Sequence, residues 1–246
     1  MTIAIVNNKG GVGKTTTTAN LGASLASLGK KVLIVDLDAQ RNLTSSLTNG
    51  DQERTIFHSI MNDQDLPIVE ISKNLSLVPS SVDMMGVELQ IADRMSREYI
   101  LKDLLEPVEG SFDFILLDCP PSLGLVTLNA LVASRYLLVP MTAEALPTEG
   151  LAMLTRFLAM IRKRPNPSLE LLSILFTRWM GRRLNRDVET SVERAFPGKV
   201  FKTKIRENIQ VAQAPLRKSS IIDYAPESNG AKDYLELAKE VLSITK

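Results

Sequence analysis

The sequence predicts an α/β fold, doubly wound, with a mainly parallel sheet and helices on both faces. Three observations carry that prediction. Short apolar runs rich in β-branched residues occupy 3–6, 32–35, 75–78, 114–117, 136–139 and 171–176, and they read as buried strands. Helix-like stretches at about 14–28, 84–105, 123–134 and 148–163 alternate with them, so the connections are crossovers between parallel strands. A glycine-rich loop joins the first strand directly to the first helix.

The strand at 3–6 runs into the loop Asn7-Asn8-Lys9-Gly10-Gly11-Val12-Gly13-Lys14-Thr15-Thr16, after which 17–28 is helix-forming. The second strand ends in Asp36-Leu37-Asp38-Ala39-Gln40 and the one at 114–117 ends in Asp118-Cys119-Pro120-Pro121. In a parallel sheet the carboxyl ends of the strands form the ligand-binding edge, so Asp36, Asp38 and Asp118 are expected to converge on the glycine loop. Arg164-Pro165-Asn166-Pro167 is a turn between the helix at 148–163 and the strand at 171–176. The last element, 230–244, places Tyr234, Leu237, Ala238, Val241 and Leu242 on one stripe and reads as an amphipathic closing helix. No repeat or long linker divides the chain, so residues 1–246 are read as one domain.

Composition narrows the class. The chain has 246 residues, 44% hydrophobic and 23% charged, with 13 Gly and 12 Pro, which excludes disordered and collagen-like chains. Its single cysteine, Cys119, cannot pair within the chain, which excludes a disulfide scaffold and fits a reducing, cytoplasmic compartment. No apolar run approaches the roughly 20 residues of a membrane span, and the opening 1–6 lacks the features of a signal peptide. Net charge is only +1, but residues 151–218 hold 15 Lys and Arg against 5 Asp and Glu, leaving 14 against 23 elsewhere. The third quarter of the chain is therefore suited to a polyanion and the remainder is not.

The chemistry is concentrated in the loop. Glycines let backbone N–H groups turn inward on phosphate oxygens, and the following helix adds the positive end of its dipole. Lys14 is placed to meet the β- and γ-phosphates and the Thr15 hydroxyl to ligate Mg²⁺. A flexible turn with a solvated lysine explains neither Lys14-Thr15-Thr16 nor the strand that precedes it. One departure stands out: the general phosphate-loop pattern places Gly five residues before Gly13, where this chain has Asn8, and an extra Lys9 precedes the double glycine. Asp118, after four apolar residues, fits a carboxylate that holds Mg²⁺ through a water, with Asp36 near the same metal, and Asp38 is the candidate to orient an attacking water. His58 and Cys119 lack partners at triad or metal spacing and read as fillers.

Lys9-Gly10-Gly11-Val12-Gly13-Lys14-Thr15-Thr16, Asp36-Leu37-Asp38-Ala39-Gln40 and Asp118-Cys119-Pro120-Pro121-Ser122-Leu123-Gly124 resemble the deviant Walker A, A′ and B motifs of the ParA/Soj partition ATPases of the ParA/MinD family. The resemblance covers nearly the whole chain, and 221–231 resembles the tail of the short chromosomal type, with no extension expected before Met1. It implies a P-loop NTPase fold, slow partner-stimulated hydrolysis of ATP with Mg²⁺, and an ATP-bound homodimer in which Lys9 reaches the partner's phosphates. It places Gly10 to Thr16 on the nucleotide phosphates, Asp38 on the water, and Thr177, Arg178 and Asn208 near the base, although Arg206-Glu207-Asn208 departs from the family's common Pro-Arg-Asn. It also implies non-specific double-stranded DNA binding through the basic quarter. Arg182 matches a DNA-binding position, Arg183 and Arg186 stand beside it, and Arg217 and Lys218 are candidates to replace an arginine absent at Gln210. The expected partners are a ParB-like or other cargo adaptor and the nucleoid, with no membrane. A MinD-like membrane switch is the alternative, but it needs a basic amphipathic end that 232–246 does not provide. A cluster carrier or a nitrogenase-type reductase requires more cysteines than Cys119.

Overall fold

The computed structural model describes residues 1–143 and 148–245, with backbone only for 148–154. In chain order the elements are β1 (Thr2–Ile5), α1 (Lys14–Ser27), β2 (Val32–Asp36), α2 (Asn42–Leu47), α3 (Ile56–Asn62), β3 (Val69–Ser72) and β4 (Leu75–Val78). They continue with α4 (Val87–Gln90), α5 (Ile100–Leu105), β5 (Phe114–Asp118), α6 (Leu125–Val132), β6 (Tyr136–Thr142), α7 (Thr148–Lys163) and β7 (Glu170–Thr177). The chain closes with α8 (Arg183–Ala195), α9 (Ile209–Gln213), α10 (Ile221–Tyr224) and α11 (Asn229–Ile244).

Seven strands form one sheet in the order β3-β4-β2-β5-β1-β6-β7, parallel throughout except for β3. The alternation of side chains along β1 explains the layering: Ala4 faces one core with α6 and α8, whereas Ile3 and Ile5 face another with α1 and α11. Every residue of β1, β2 and β5 is buried, as their continuous apolar composition requires in a doubly covered sheet. Helix α1 sits so close to the sheet that a methyl group on Gly22 would lie 2.8 Å from Ile34 Cγ2. Helix α11 buries Tyr234, Leu237, Ala238 and Val241 of the predicted stripe, and Leu242 is half-buried.

Several elements differ from expectation, among them the short helices α2, α3, α9 and α10, which the sequence pattern does not predict. The predicted helix over 84–105 is broken into a 3₁₀ turn at Val82–Gly86, α4, a turn-rich stretch at 91–99 and α5. Tertiary bonds replace the helical ladder there: the Asn129 amide donates to Arg97 O and its carbonyl accepts from Leu101 N, while Arg94 reaches back to α3. The antiparallel edge strand β3 escapes a search for apolar runs because its residues alternate between half-buried and exposed. It is joined to β4 by Lys73-Asn74, with Asn74 at φ 67°. Helix α8 has little apolar surface; Asn185, Val188 and Val192 alone are its buried residues among those described.

Candidate active site

The first βα connection builds a cradle. Gly11 and Gly13 hold φ of 72° and 85°, left-handed conformations that favour glycine and that a backbone anion nest requires. The loop is braced from outside. Thr177, at the end of β7, shares its single hydroxyl proton between Val12 O at 2.8 Å and Met141 O at 3.2 Å, and its methyl packs where a Cβ on Gly13 would point. Asn7 holds the start of the loop by donating to Pro140 O at 2.7 Å and accepting from Lys9 N at 3.0 Å.

The two lysines of the loop are in opposite environments. Lys14 is 7% exposed, its Nζ donating to Lys9 O at 3.3 Å, and burial pulls its ammonium below the usual lysine range while Asp118 opposes that shift. Lys9 is exposed at the lip. An anion entering the cradle therefore meets one cation already withdrawn from water and a second presented outward.

Beneath them lie the carboxylates. Asp36 and Asp118 are paired in register on β2 and β5, and both are fully buried. Asp118 Oδ1 accepts from the Thr18 hydroxyl at 3.3 Å, but its Oδ2 is buried without a hydrogen bond. Burial, reinforced by Asp36, pushes the Asp118 carboxyl well above the usual range, with Thr15 and Lys14 acting in the opposite direction. An orphaned buried carboxylate oxygen beside a phosphate cradle fits the water shell of a divalent cation. Among the described residues no group of three or more His, Cys, Asp or Glu could hold a metal by itself, as expected where phosphates and water supply most ligands.

Asp36, expected at the metal, has other partners. Its Oδ2 accepts from Thr44 N at 2.8 Å and Thr44 Oγ1 at 2.7 Å, and its Oδ1 from Asp38 N at 3.1 Å. Burial raises it to about 6, despite these bonds. Its geometry is that of a brace: Ser80 N donates to Thr44 Oγ1 at 2.9 Å and Ser80 Oγ to Asp38 O at 2.9 Å, which ties the Asp38 turn to the end of β4. Asp38 is partly exposed, with Oδ1 accepting from Gln40 N at 2.9 Å. Thr44 and Ser80 carried no sequence signal, since neither belongs to a recognisable spacing.

A cavity of about 620 Å³ is lined by Gly10, Gly11, Gly13, Lys14, Thr15, Thr16 and Asp38 at one end. At its other end stand Arg178, Arg206, Glu207 and Asn208, and Thr177 also lines it. Of the residues expected near a base, Thr177 has its hydroxyl engaged by the loop, Asn208 caps α9 by accepting from Gln210 N at 2.8 Å, and Arg178 lies 3.8 Å from Glu207. Arg206 forms a bidentate pair with the buried Asp233, its closest contact 2.6 Å.

None of the basic candidates for DNA lines the cavity, although Pro215 and Ser219, on either side of Arg217 and Lys218, do. Arg182, Arg183 and Arg186 are exposed where α8 begins. Asn185, another residue without a sequence signal, sets that turn by accepting from Arg182 N at 3.1 Å and donating to Ala143 O at 2.9 Å. Arg217 is exposed, and Lys218 is exposed but donates to Ser45 O at 2.5 Å.

Fold and site together define a P-loop ATPase in which a second lysine precedes the glycine loop. Residues 1–171 match the family model described as AAA domain. The chain is 42% identical to the sporulation initiation inhibitor protein Soj of Bacillus subtilis (strain 168), covering 97% of each. A structure of cobyrinic acid a,c-diamide synthase from Mycobacterium smegmatis, with bound ADP and magnesium, aligns with TM-score 0.87 at 33% identity, covering 98% of this chain and 93% of that one. The septum site-determining protein MinD from Pyrococcus horikoshii, complexed with Mg-ADP, aligns at TM-score 0.80 and 29% identity, covering 100% and 98%. The chain belongs to the AAA-domain family and, within it, to the ParA/Soj partition ATPases.

Proposed function

We propose that this ATPase binds ATP with Mg²⁺, dimerises around two nucleotides, holds double-stranded DNA without sequence preference in that state, and positions cargo on the nucleoid with an adaptor of the ParB-like or another type. The cargo is a chromosome, a plasmid or a protein organelle. The observation that carries the reading is the contrast between Lys14, buried in the cradle, and Lys9, exposed at its lip. One cation serves the protomer's own nucleotide and the other is available to a facing protomer.

The N–H groups of 10–16 and the Lys14 ammonium bind and orient the phosphates, as the helix end and the glycine conformations dictate. Thr15 and the orphaned oxygen of Asp118 are the groups that would hold Mg²⁺ and its waters, and the ion would supply charge neutralisation at the phosphates. Asp38, braced through Asp36, Thr44 and Ser80, orients the attacking water and accepts a hydrogen bond from it. Lys9 from the facing protomer stabilises charge that develops on the phosphoryl oxygens, so that dimerisation and hydrolysis are coupled. Arg178 and Asn208 stand at the base end, with Thr177 as the brace of the loop.

The membrane reading is disfavoured by α11, whose apolar stripe is buried inside the fold instead of facing outward. Among the described residues no helix is long and apolar enough to cross a membrane. The test is sedimentation and turnover of wild type and Lys9→Ala: ATP should drive wild type to a dimer, and the variant should bind ATP yet hydrolyse it at least about tenfold more slowly. Equal turnover in the two proteins would refute the role of Lys9 in the dimer.

A further inference from the structure

Helix α6 starts without a cap of its own. It follows Gly124, which has no side chain to accept a hydrogen bond, so the N–H groups of the first turn need an acceptor from elsewhere. Glu88, on the short helix α4, supplies one: its Oε1 accepts from Val126 N at 2.9 Å, and a carboxylate there also meets the positive end of the helix dipole. Val87, fully buried, anchors α4, and Glu88 beside it is half-buried. The fit is close. A Cβ on Gly124 would collide with Oε1 of Glu88 and lie 2.6 Å from its Oε2, so the glycine makes room for the carboxylate. Its backbone, at φ −84° and ψ −165°, is one that any residue adopts, so no other demand for glycine exists there.

The capped end belongs to the connection that leaves the nucleotide site. Strand β5 ends in Asp118, whose carbonyl accepts from Leu37 N at 3.0 Å, and the chain then runs through Cys119-Pro120-Pro121-Ser122-Leu123 into α6. Thr127, fully buried, donates its hydroxyl to Ser122 O at 2.6 Å. The span 119–123 is thus held by the sheet at one end and by α6 at the other, and its Pro121 lines the cavity together with Lys14 and Asp38. Helix α4 contributes none of the described residues that line it.

We propose that Glu88 is a positioning residue for ATP hydrolysis: by holding the first turn of α6 it sets the pose of 119–123, and with it the cavity wall at Pro121 and the exit of the chain from Asp118. This role rests on the ATPase reading. The hydrogen bond of Glu88 is to α6, whereas the cradle at 10–16 stands on β1 and α1, so losing the carboxylate should slow turnover and spare ATP affinity. A neutral amide of the same reach can still accept from Val126 N, so glutamine should replace Glu88 better than alanine does. Alanine at 124 should act like alanine at 88, since its methyl meets the flexible end of the Glu88 side chain and turns it away from Val126 N.

The test compares wild type with Glu88→Ala, Glu88→Gln, Gly124→Ala and the double variant Glu88→Ala/Gly124→Ala, each shown by its melting curve to be folded at the assay temperature. Turnover with Mg²⁺ and ATP should give kcat about tenfold lower in Glu88→Ala and in Gly124→Ala, with KM within about twofold of wild type. Glu88→Gln should recover to within about threefold of wild type, because its amide oxygen keeps the bond. In the double variant the second substitution should cost nothing further, since the carboxylate it displaces is already gone. Hydrogen exchange without nucleotide should find the Val126 amide about tenfold less protected in both single alanine variants. If Glu88→Ala is unfolded, Glu88→Asp, whose shorter arm draws the oxygen away from Val126 N, carries the same expectation for kcat. Wild-type kcat in the alanine variants, a loss confined to KM, glutamine no better than alanine, or losses that multiply in the double variant would overturn the proposal. Unchanged Val126 protection in Glu88→Ala refutes the cap and leaves the ATPase reading standing, whereas a wild-type chain that hydrolyses no ATP refutes that reading and this role with it.

Discussion

Lys14 and Asp38 line one cavity and Asp118 is fully buried, so the roles proposed for them predict separable losses. Lys14→Ala removes the buried ammonium from an otherwise uncharged backbone cradle, so calorimetry should find ATP binding abolished. Asp38→Ala spares the cradle and removes the group proposed to orient the water, so the variant should bind ATP as wild type does and turn over at least about a hundredfold more slowly. Near-wild-type turnover would transfer that role elsewhere on the A′ turn. Asp118→Asn yields a more unusual expectation, because the buried Oδ2 has no partner to lose. The native carboxyl keeps its proton at pH values where the unfolded chain has released it, so wild-type stability falls as pH rises above the ordinary carboxylate range. The amide variant lacks that penalty. In chelator at neutral pH it should melt at a higher temperature than wild type, with a flatter dependence on pH, and it should lose the added stabilisation that Mg²⁺ confers in the presence of nucleotide. A lower melting temperature in chelator would show that the buried charge is not a cost.

Among elements, α1 carries both the cradle and the tightest contact with the sheet. Gly22 lies in its second half against Ile34 of β2, and an added methyl, 2.8 Å from Ile34 Cγ2, would force one of the two to move. Gly22→Ala should therefore destabilise the protein by about 1–3 kcal/mol in urea unfolding, although alanine is the better helix former, because overpacking outweighs a propensity gain of about 1 kcal/mol. A stabilised variant would refute that close approach. The elements also show where local pattern reaches its limit. Strands buried on both faces were legible as apolar runs because nothing polar interrupts them. The breakdown of 84–105 was not legible, because it depends on Asn129 and α3, which lie elsewhere in the chain. Helix α8 was hidden for a related reason: one of its three described buried residues is an asparagine, whose amide is satisfied by the backbone of Ala143.

Across the whole molecule, charge is segregated: an excess of ten cations in 151–218 against an acidic remainder. In the proposed dimer two such patches would meet one polyanion, neutralising more phosphates than a single copy can. Anisotropy on two unrelated duplexes should show tighter binding with ATP than with ADP and no sequence preference. Arg182→Ala should flatten the slope of log K against log salt by up to about two units per dimer, since each phosphate contact contributes about −0.9. Equal binding in both nucleotide states, or an unaltered slope, would remove DNA from the function or Arg182 from the contact.

The order strand, glycine loop, Lys14-Thr15, helix, and the aspartates ending β2 and β5, could be read from the linear chain because phosphate binding is built from consecutive backbone groups and strand ends. Those signals are local, so spacing reveals them. Which carboxylate keeps a free oxygen is not local. Asp36 and Asp118 look alike as residues that end apolar strands, yet Thr44, eight residues after Asp36, closes on it, while Asp118 Oδ2 meets no donor. Thr177 likewise reads as one of several polar residues after a strand, until the β6–β7 pairing brings it against Val12 and makes it the brace of the loop. Hydrogen-bond partners distant in sequence decide these roles, because burial makes an unpaired polar group costly and only the folded chain determines which groups are paired.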